Sequence, residues 1–348
     1  MKCLFSVAVI FLFLFGCGGE KNENEKIASE NLYKIDSAEI KTKPTENPNQ
    51  NFLMRYNLEL NKEYKYKIAT VSDNVQTIKV DTTISQNVNQ KMIYLINVKP
   101  TEIDKDSIYE VVCTFNSIKL DAIANNQKHS YQSGVTKDST ELLKFANYEA
   151  LVNNPFNLRV DNKGNILEIY KTDKIITRYL ELQKLEDSIT TQERSTLREQ
   201  ISEGAIKPLL SQIFRKLPEK IVAKDSSWTI SQPAIPFLVF QLQNNYIYNI
   251  NALEEYNEDK VAVIDAKLDA KITGNTKVTE QGITYEFNKP SSETSGKIYF
   301  NVEQGCVLKS LIKSKTTISY TMEGDTPTGK QKGSRSDVME YTNIVELL

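Results

Sequence analysis

The residues with the clearest chemistry stand near the start of the chain, in the run Leu14-Phe15-Gly16-Cys17. They close an apolar stretch from Leu4 to Phe15, which is too short to span a bilayer that needs about 20 residues. This is the order of a secretory leader that ends in a bacterial lipobox. The small Gly16 fits a peptidase cleft, and the thiol of Cys17 takes a diacylglyceryl thioether. We therefore predict a signal peptide over residues 1–16 and lipidation at Cys17.

The lipid anchor predicted at Cys17 determines where the protein is held. Several acyl chains bury many methylenes at about 0.8 kcal/mol each, so the attachment is permanent and makes the membrane a partner. The alternative is a plain secretory leader with an incidental cysteine. The polar chain begins directly after Cys17, which favours the lipobox. We expect a lipid-anchored protein of the cell envelope, at the outer membrane, on its periplasmic face or at the cell surface.

Cysteine chemistry elsewhere is limited, since the chain has four cysteines in all. Cys3 leaves with the leader and Cys17 is acylated, so Cys113 and Cys306 remain. An oxidising compartment permits a disulfide between these two. The alternative is a pair of buried free thiols, which is common in protein cores. We favour free thiols, because nothing in the sequence brings the two residues together.

The remaining motifs predict no catalytic residue, no metal site and no cofactor. His129 is the only histidine and lies in a polar stretch, 125–139, that we expect to be a loop. One histidine without a thiolate pair does not make a zinc or iron site, and no nucleophile motif accompanies it. A hydrolase that uses only two carboxylates stays open as an alternative, because the chain has 45 acidic residues.

Charge and aromatic content point away from nucleic acid as a partner. The net charge is -2, with 43 basic and 45 acidic residues, and no basic stripe stands out. Trp228 is the only tryptophan. One interpretation is that it stacks on a ligand, but its place at a strand start is more typical of a core residue.

The chain divides into a tether and a β-rich domain. Residues 17–51 are poor in apolar side chains and rich in Lys, Glu, Asn, Thr and Pro, so we expect a flexible tether. The domain covers 52–348. It opens with alternating residues that predict a hairpin of strands 55–60 and 64–68.

Two further β-features of the domain can be placed from local pattern. The long strand from Ile108 to Leu120 shifts its apolar phase, which predicts a bulge near Asn116-Ser117. The stretch from Phe156 to Ile169 predicts a hairpin with Gly164 at positive φ in its turn.

The middle of the domain has a helical period. Apolar spacing predicts helices over about 172–217, between two β-rich halves, and residues 324–336 predict a mobile loop. The strand and turn sequences of the two halves are weakly similar, which reflects either an internal duplication or chance. The expected fold is α+β and predominantly antiparallel β, with two β-rich halves and a helical insert between them.

Several of these features together resemble one uncharacterised family of Bacteroidota lipoproteins, known only by a domain-of-unknown-function label. They are the opening Tyr56-x-Leu58-x-Leu60, the turn Asp161-x-x-Gly164, the helical middle, and the run 225–228, Asp-Ser-Ser-Trp. The resemblance implies no activity. The architecture is also loosely similar to lipoprotein-carrier-like folds, in which a concave sheet takes acyl chains.

These observations lead to one expected function and one alternative. We expect a membrane-anchored envelope lipoprotein that is not an enzyme and either binds an apolar ligand or acts as a scaffold. The argument for an apolar ligand is that the apolar faces of the helices must be buried and that a large β-sheet provides a surface for this. The alternative is a carboxylate-based hydrolase acting on envelope glycans.

Overall fold

The computed structural model describes residues 32–326 and 329–348. The predicted signal peptide and Cys17 lie outside the described residues. Within them the chain is mostly antiparallel β with few helices, so the predominantly antiparallel class is confirmed.

The strands vary from short edge pieces to ribbons of about twenty residues. In chain order they are β1 (Lys43–Pro44), β2 (Tyr64–Lys79), β3 (Thr83–Ile103), β4 (Ile108–Ala124), β5 (Gln127–Gln132), β6 (Phe156–Asp161), β7 (Ile166–Tyr170), β8 (Ser227–Ser231), β9 (Ile235–Phe237), β10 (Phe240–Tyr256), β11 (Asp259–Gly274), β12 (Lys277–Glu280), β13 (Ile283–Phe287), β14 (Ser291–Asn301), β15 (Cys306–Thr326) and β16 (Gly329–Leu347).

The helices fall in two groups. The first two, α1 (Ser139–Lys144) and α2 (Ala146–Glu149), are short and lie between β5 and β6. The others lie between β7 and β8: α3 (Asp173–Gln183), α4 (Thr191–Glu199), a π-helix (Gln200–Ile206) and α5 (Lys207–Ile213). A capping box of Thr190 and Glu193 starts α4.

The described strands form one sheet. Its central path runs β1-β10-β11-β14-β15-β16-β2-β3-β4-β6-β7, and the shorter strands branch from it. The last strand, β16, pairs along its length with the first long strand, β2. The two predicted β-rich halves are therefore joined side by side in a single sheet and do not form separate lobes. Local periodicity could not reveal this pairing, because the two strands stand at opposite ends of the domain.

One face of the sheet carries the main hydrophobic core, and we call it the inner face. Its buried residues come from strands on both sides of the β16–β2 pair, for example Ile68, Phe115, Leu158, Ile264 and Phe300. Apolar residues of α3, the π-helix and α5 belong to the same core. Burial of this shared surface is what holds the helices against the sheet.

An extended segment, residues 52–58, also lies on the inner face. The N–H of Tyr56 donates to the carbonyl of Asn162 at 2.8 Å, and the N–H of Asn57 donates to that of Gly305 at 3.2 Å. The segment thus bridges the β6–β7 and β14–β15 turns. The predicted opening hairpin is wrong in its first strand. Tyr56 is buried, as the alternation predicted, but the backbone of this segment bonds to distant turns and not to residues 64–68.

The opposite, outer face is crossed by residues 33–45. Tyr33, Ile35 and Ile40 pack on the small apolar clusters of this face. Asp36 pairs with Lys309 at 2.9 Å, which fixes the segment to β15. The expected free tether over 17–51 therefore does not describe these residues, because their few apolar side chains find cover on the sheet.

Local features were predicted better than distant ones. The bulge is confirmed, since Ser117 opposes Leu95, Phe115 opposes Ile96, and Asn116 is extra. The β6–β7 hairpin is also confirmed, with Gly164 at φ +84°. Two loop predictions are wrong. Residues 127–132 form β5, whose Tyr131 is buried, and residues 329–336 continue β16, paired with the distal part of β15.

Candidate functional site

Two parts of the inner face differ in their chemistry. The part nearest the β6–β7 and β14–β15 turns is apolar, and we call it the apolar half. It is covered by residues 52–58, by Phe214 and by the helical residues Ile175, Ile206, Leu210 and Ile213, all of which are buried. The chain's own side chains thus occupy the apolar half.

Farther along the same strands, most inward positions of β14, β15, β16 and β2 are polar, although Ile312 and Met339 lie among them. Because side chains alternate between faces, every second residue continues the inner face. Hydroxyl and amide groups pair across strands here: Thr294 donates to Ser314 at 2.9 Å, and Thr70 donates to Asn343 at 2.8 Å. We call this surface the polar patch; it consists of Thr70, Ser72, Asn74, Thr294, Ser314, Thr316, Tyr341 and Asn343.

Arg215 is placed near the boundary of these two parts. It follows the end of α5, and its backbone N–H donates to the hydroxyl of Tyr56 at 2.7 Å. That hydroxyl in turn donates to the carbonyl of Ile213 at 2.9 Å. Gly164 allows the close approach, since a Cβ there would lie 2.2 Å from the carbonyl oxygen of Arg215. The backbone of Arg215 is therefore held by two separate parts of the fold.

The guanidinium of Arg215 has few partners. Its Nη2 donates to Oγ of Ser310 on β15 at 3.1 Å, and Ser310 is fully buried. Its Nε is buried and has no acceptor. Among residues 32–326 and 329–348, no carboxylate forms an ion pair with Arg215, which is a half-buried cation without a counter-charge.

Aromatic side chains form the neighbouring surface on β8 and β10. Trp228 stacks on Tyr248 with ring centroids 5.1 Å apart, and its Nε1 donates to the carbonyl of Lys216. Burial raises the pKa of the Tyr246 phenol, and the nearby charge of Arg215 opposes that shift. Trp228 is half-buried against the core, which agrees with the core role predicted for it.

This arrangement is suited to binding and offers no pair of catalytic acids. On the described inward positions of β14, β15, β16 and β2, Asp337 is the one carboxylate. Arg335 binds it through Nε at 3.0 Å and Nη2 at 2.9 Å. A two-carboxylate hydrolase needs a second acid within about 5–10 Å, which this face does not present.

The two core cysteines are far apart. Cys113 lies on β4 and Cys306 on β15, with β16, β2 and β3 between them, a separation of about 19 Å at ~4.8 Å per strand. Both are buried free thiols. Burial raises the pKa of both, that of Cys306 to about 12. The strands that carry the two thiols do not meet in this structure, which favours free thiols over the disulfide alternative.

The other sequence candidate is not brought to this site. His129 lies on β5 opposite Ala122, on the far side of β4 from Arg215's partner strand. Within the described part of the chain, no cluster of three or more His, Cys, Asp or Glu side chains is arranged to hold a metal ion. Sequence reasoning passed over Arg215. The signal that could have found it is a charged residue directly after two buried ones, Ile213 and Phe214.

Comparison with protein families gives a match over more than half of the chain. The model described as "Family of unknown function (DUF6263)" matches residues 106–307. The chain belongs to the DUF6263 family. The match runs from the start of β4 to the start of β15, so it includes Arg215 and Trp228. The predicted resemblance to a family of unknown function is confirmed, and membership in DUF6263 assigns no activity.

Similarity to other proteins is weak. No curated protein matches the chain. A lipovitellin structure titled "Lipid-protein interactions in lipovitellin" is 9% identical with a TM-score of 0.38 over 84% of this chain. This chain spans about a quarter of that one, 25%. OccK2 of Pseudomonas aeruginosa in complex with glucuronate is 8% identical, with a TM-score of 0.20 over 84% of this chain and 98% of its own. These scores are too low to support an argument.

The described helices were also compared with the length of a bilayer. None of those in residues 32–326 and 329–348 is long and apolar enough to cross a membrane.

Proposed function

We propose that this DUF6263 protein is a lipid-anchored, non-enzymatic binding protein of the cell envelope, whose ligand lies on the polar part of the inner face. The observation that carries the proposal is the division of that face. The apolar half is occupied by the chain's own helices and residues 52–58, whereas the polar patch lies outside the hydrophobic core of the described residues and Arg215 forms no ion pair with them. The protein then acts as an anchored receptor or scaffold.

An apolar ligand, which the sequence suggested, can enter the apolar half only by displacing the helices. That would expose Ile175, Ile206, Leu210 and Ile213, each at most 1% exposed. Fully burying one such side chain contributes about 1.5–3 kcal/mol, so exposing four costs ~6–12 kcal/mol. This is of the order of the whole stability of a domain, about 5–15 kcal/mol. The magnitudes favour a receptor or scaffold over a carrier of acyl chains.

The membrane anchor is tested by labelling. The wild type should incorporate radioactive palmitate and sediment with membranes, and Cys17→Ser should do neither. Cys3→Ser is the matched control, because Cys3 lies in the leader and is removed with it; this variant should behave as wild type. A wild type that remains unlabelled and soluble contradicts the anchor.

The nature of the ligand is tested by what remains bound to the protein. The full-length protein is purified from its own envelope in detergent, extracted with organic solvent and examined by mass spectrometry. A second lipid-anchored protein purified in parallel is the control for detergent-carried lipid. We expect no lipid that lacks a phosphate or carboxylate group at one equivalent above that control. One equivalent of such a lipid, which can be held only through its acyl chains, contradicts the proposal and supports the carrier.

A further inference from the structure

We propose that Arg215 is the recognition residue for an oxyanion, a carboxylate or a phosphate group of the ligand. This inference rests on the proposed function and identifies the group that the inner face binds. It begins from the unused donors of the guanidinium. Of five N–H donors, one bonds to Ser310, and the buried Nε has no acceptor among residues 32–326 and 329–348. A buried charged donor without an acceptor is costly, and a bound anion removes that cost.

Two other half-buried arginines show what Arg215 lacks, whereas the half-buried Arg55 donates only to backbone carbonyls. Arg159 binds Glu110 at 2.9 Å, and Arg335 binds Asp337 at 2.9 Å. Each of these side chains thus has a carboxylate from the chain itself. Arg215 has a comparable degree of burial and receives none, so the position that a carboxylate takes elsewhere is open to a ligand.

The surroundings of Arg215 favour an anion over a neutral ligand. The hydroxyl of Ser310 accepts from the guanidinium and keeps its own proton to donate. On the inward positions of β14, β15, β16 and β2, the carboxylate that follows Arg215 toward the polar patch is Asp337. Its charge is balanced by Arg335. Tyr246 and Tyr56 add phenols whose pKa values burial raises, so both are neutral at physiological pH. These neighbours therefore add no negative charge beside the guanidinium.

The geometry of a guanidinium narrows the ligand class. Its planar fork matches two oxygens of a carboxylate or phosphate, which a neutral hydroxyl cannot reproduce. Beyond the fork, the polar patch offers hydroxyl and amide groups for the rest of the ligand. The same oxyanion can belong to a soluble molecule or to an anionic lipid headgroup, and the experiment separates these sources.

The single tryptophan supplies the readout. Trp228 bonds to the carbonyl of Lys216, the residue after Arg215, so its fluorescence reports on this position. The full-length lipidated protein is held in nanodiscs of phosphatidylcholine. In the soluble arm it is titrated with inorganic phosphate and with acetate at constant ionic strength. In the lipid arm, phosphatidylglycerol replaces part of the phosphatidylcholine. A saturable change in one arm identifies the source.

Variants of Arg215 test whether this residue causes the saturable fluorescence response. Arg215→Gln should weaken the response at least about tenfold, and Arg215→Lys should weaken it less, because Lys keeps the charge and loses the fork. Arg198→Gln is the matched control: Arg198 is exposed on α4, pairs with Asp173, and its loss should leave the response unchanged.

The fluorescence titrations test the role of Arg215 separately from the lipid extraction that tests the proposed function. A response of Arg215→Gln equal to wild type overturns the inference, and so does the lack of a saturable wild-type response in both arms. If Arg215→Gln fails to melt cooperatively and is therefore not folded, Arg215→Lys is used in its place. A response of Arg215→Lys equal to wild type then overturns the inference. The absence or presence of a stoichiometric lipid that lacks a phosphate or carboxylate group tests the proposed function independently of these results.

Discussion

The hydroxyl of Tyr56 links two parts of the fold that are far apart in sequence, since it accepts the backbone N–H of Arg215 at 2.7 Å and is itself buried. Its ring packs edge-on against Phe300 of β14, with centroids 5.6 Å apart. The residue therefore connects the end of α5 to the sheet and fixes the backbone from which the Arg215 side chain extends.

Tyr56→Phe should destabilise the protein by about 1–3 kcal/mol, because it leaves a buried N–H and carbonyl without the hydroxyl that both contact. Tyr66→Phe is the matched control: Tyr66 is equally buried, 2% exposed, and the described structure shows no hydrogen bond from its hydroxyl. Urea unfolding followed by Trp228 fluorescence, in the unacylated Cys17→Ser background, measures both. Equal losses from the two variants contradict the role of the hydroxyl.

Alanine substitutions at Gly164 and Gly282 distinguish the stability cost of a left-handed backbone from the added cost of a steric clash. Both have positive φ, +84° and +80°, but a Cβ at Gly164 would meet Arg215 whereas one at Gly282 would meet nothing within 4 Å. Gly282→Ala should cost about 1–2 kcal/mol for the left-handed conformation alone. Gly164→Ala should cost clearly more, because the backbone at Arg215 must move. The comparison uses urea unfolding, and equal costs argue against the close approach.

The segment over the outer face should respond to acid. The hydrogen bond from Lys309, and then that from the N–H of Ala38, hold the pKa of Asp36 below its ordinary value of 3.8. Ionised Asp36 thus contributes stability that is fully present above that ordinary value and is lost as pH falls through the lowered native one. The wild type should exceed Asp36→Asn in stability by a constant amount above about pH 5, and the difference should shrink below roughly pH 4.

Hydrogen exchange of residues 33–40 at neutral pH gives the local readout for Asp36→Asn, which should exchange faster than wild type there. Asp187→Asn is the control, because Asp187 is exposed and forms no ion pair within the described chain. A pH dependence of Asp36→Asn parallel to wild type through the acid range would show that the pair does not hold the segment.

The two core thiols give a chemical prediction. In the native mature protein, Cys113 and Cys306 should resist a maleimide, because both are buried and their pKa values are raised. In denaturant without reductant, two equivalents should react, and Cys113→Ala should lower this to one. If reaction in denaturant required prior reduction, the two residues would be a disulfide.

Sequence reasoning succeeded where a feature depends on neighbouring residues. The bulge at Asn116 and the turn at Gly164 follow from a phase shift and from a glycine at positive φ. It failed where the partner lies far along the chain. Asp36 and Lys309, or Asn57 and Gly305, are more than two hundred residues apart, and no local pattern links them. Arg215 was missed for the same reason, since its environment comes from β10 and β15.

Hydrogen exchange of the helices tests most directly the claim that the chain fills its own apolar half. Amides of α3 and α5, whose apolar residues are buried, should exchange only through global unfolding, at the same free energy as those of β4 and β15. α4 has no buried residue and should exchange faster, which makes it an internal control. Exchange of α3 and α5 several kcal/mol below the global value would mean that the helices leave the sheet, and would contradict the account.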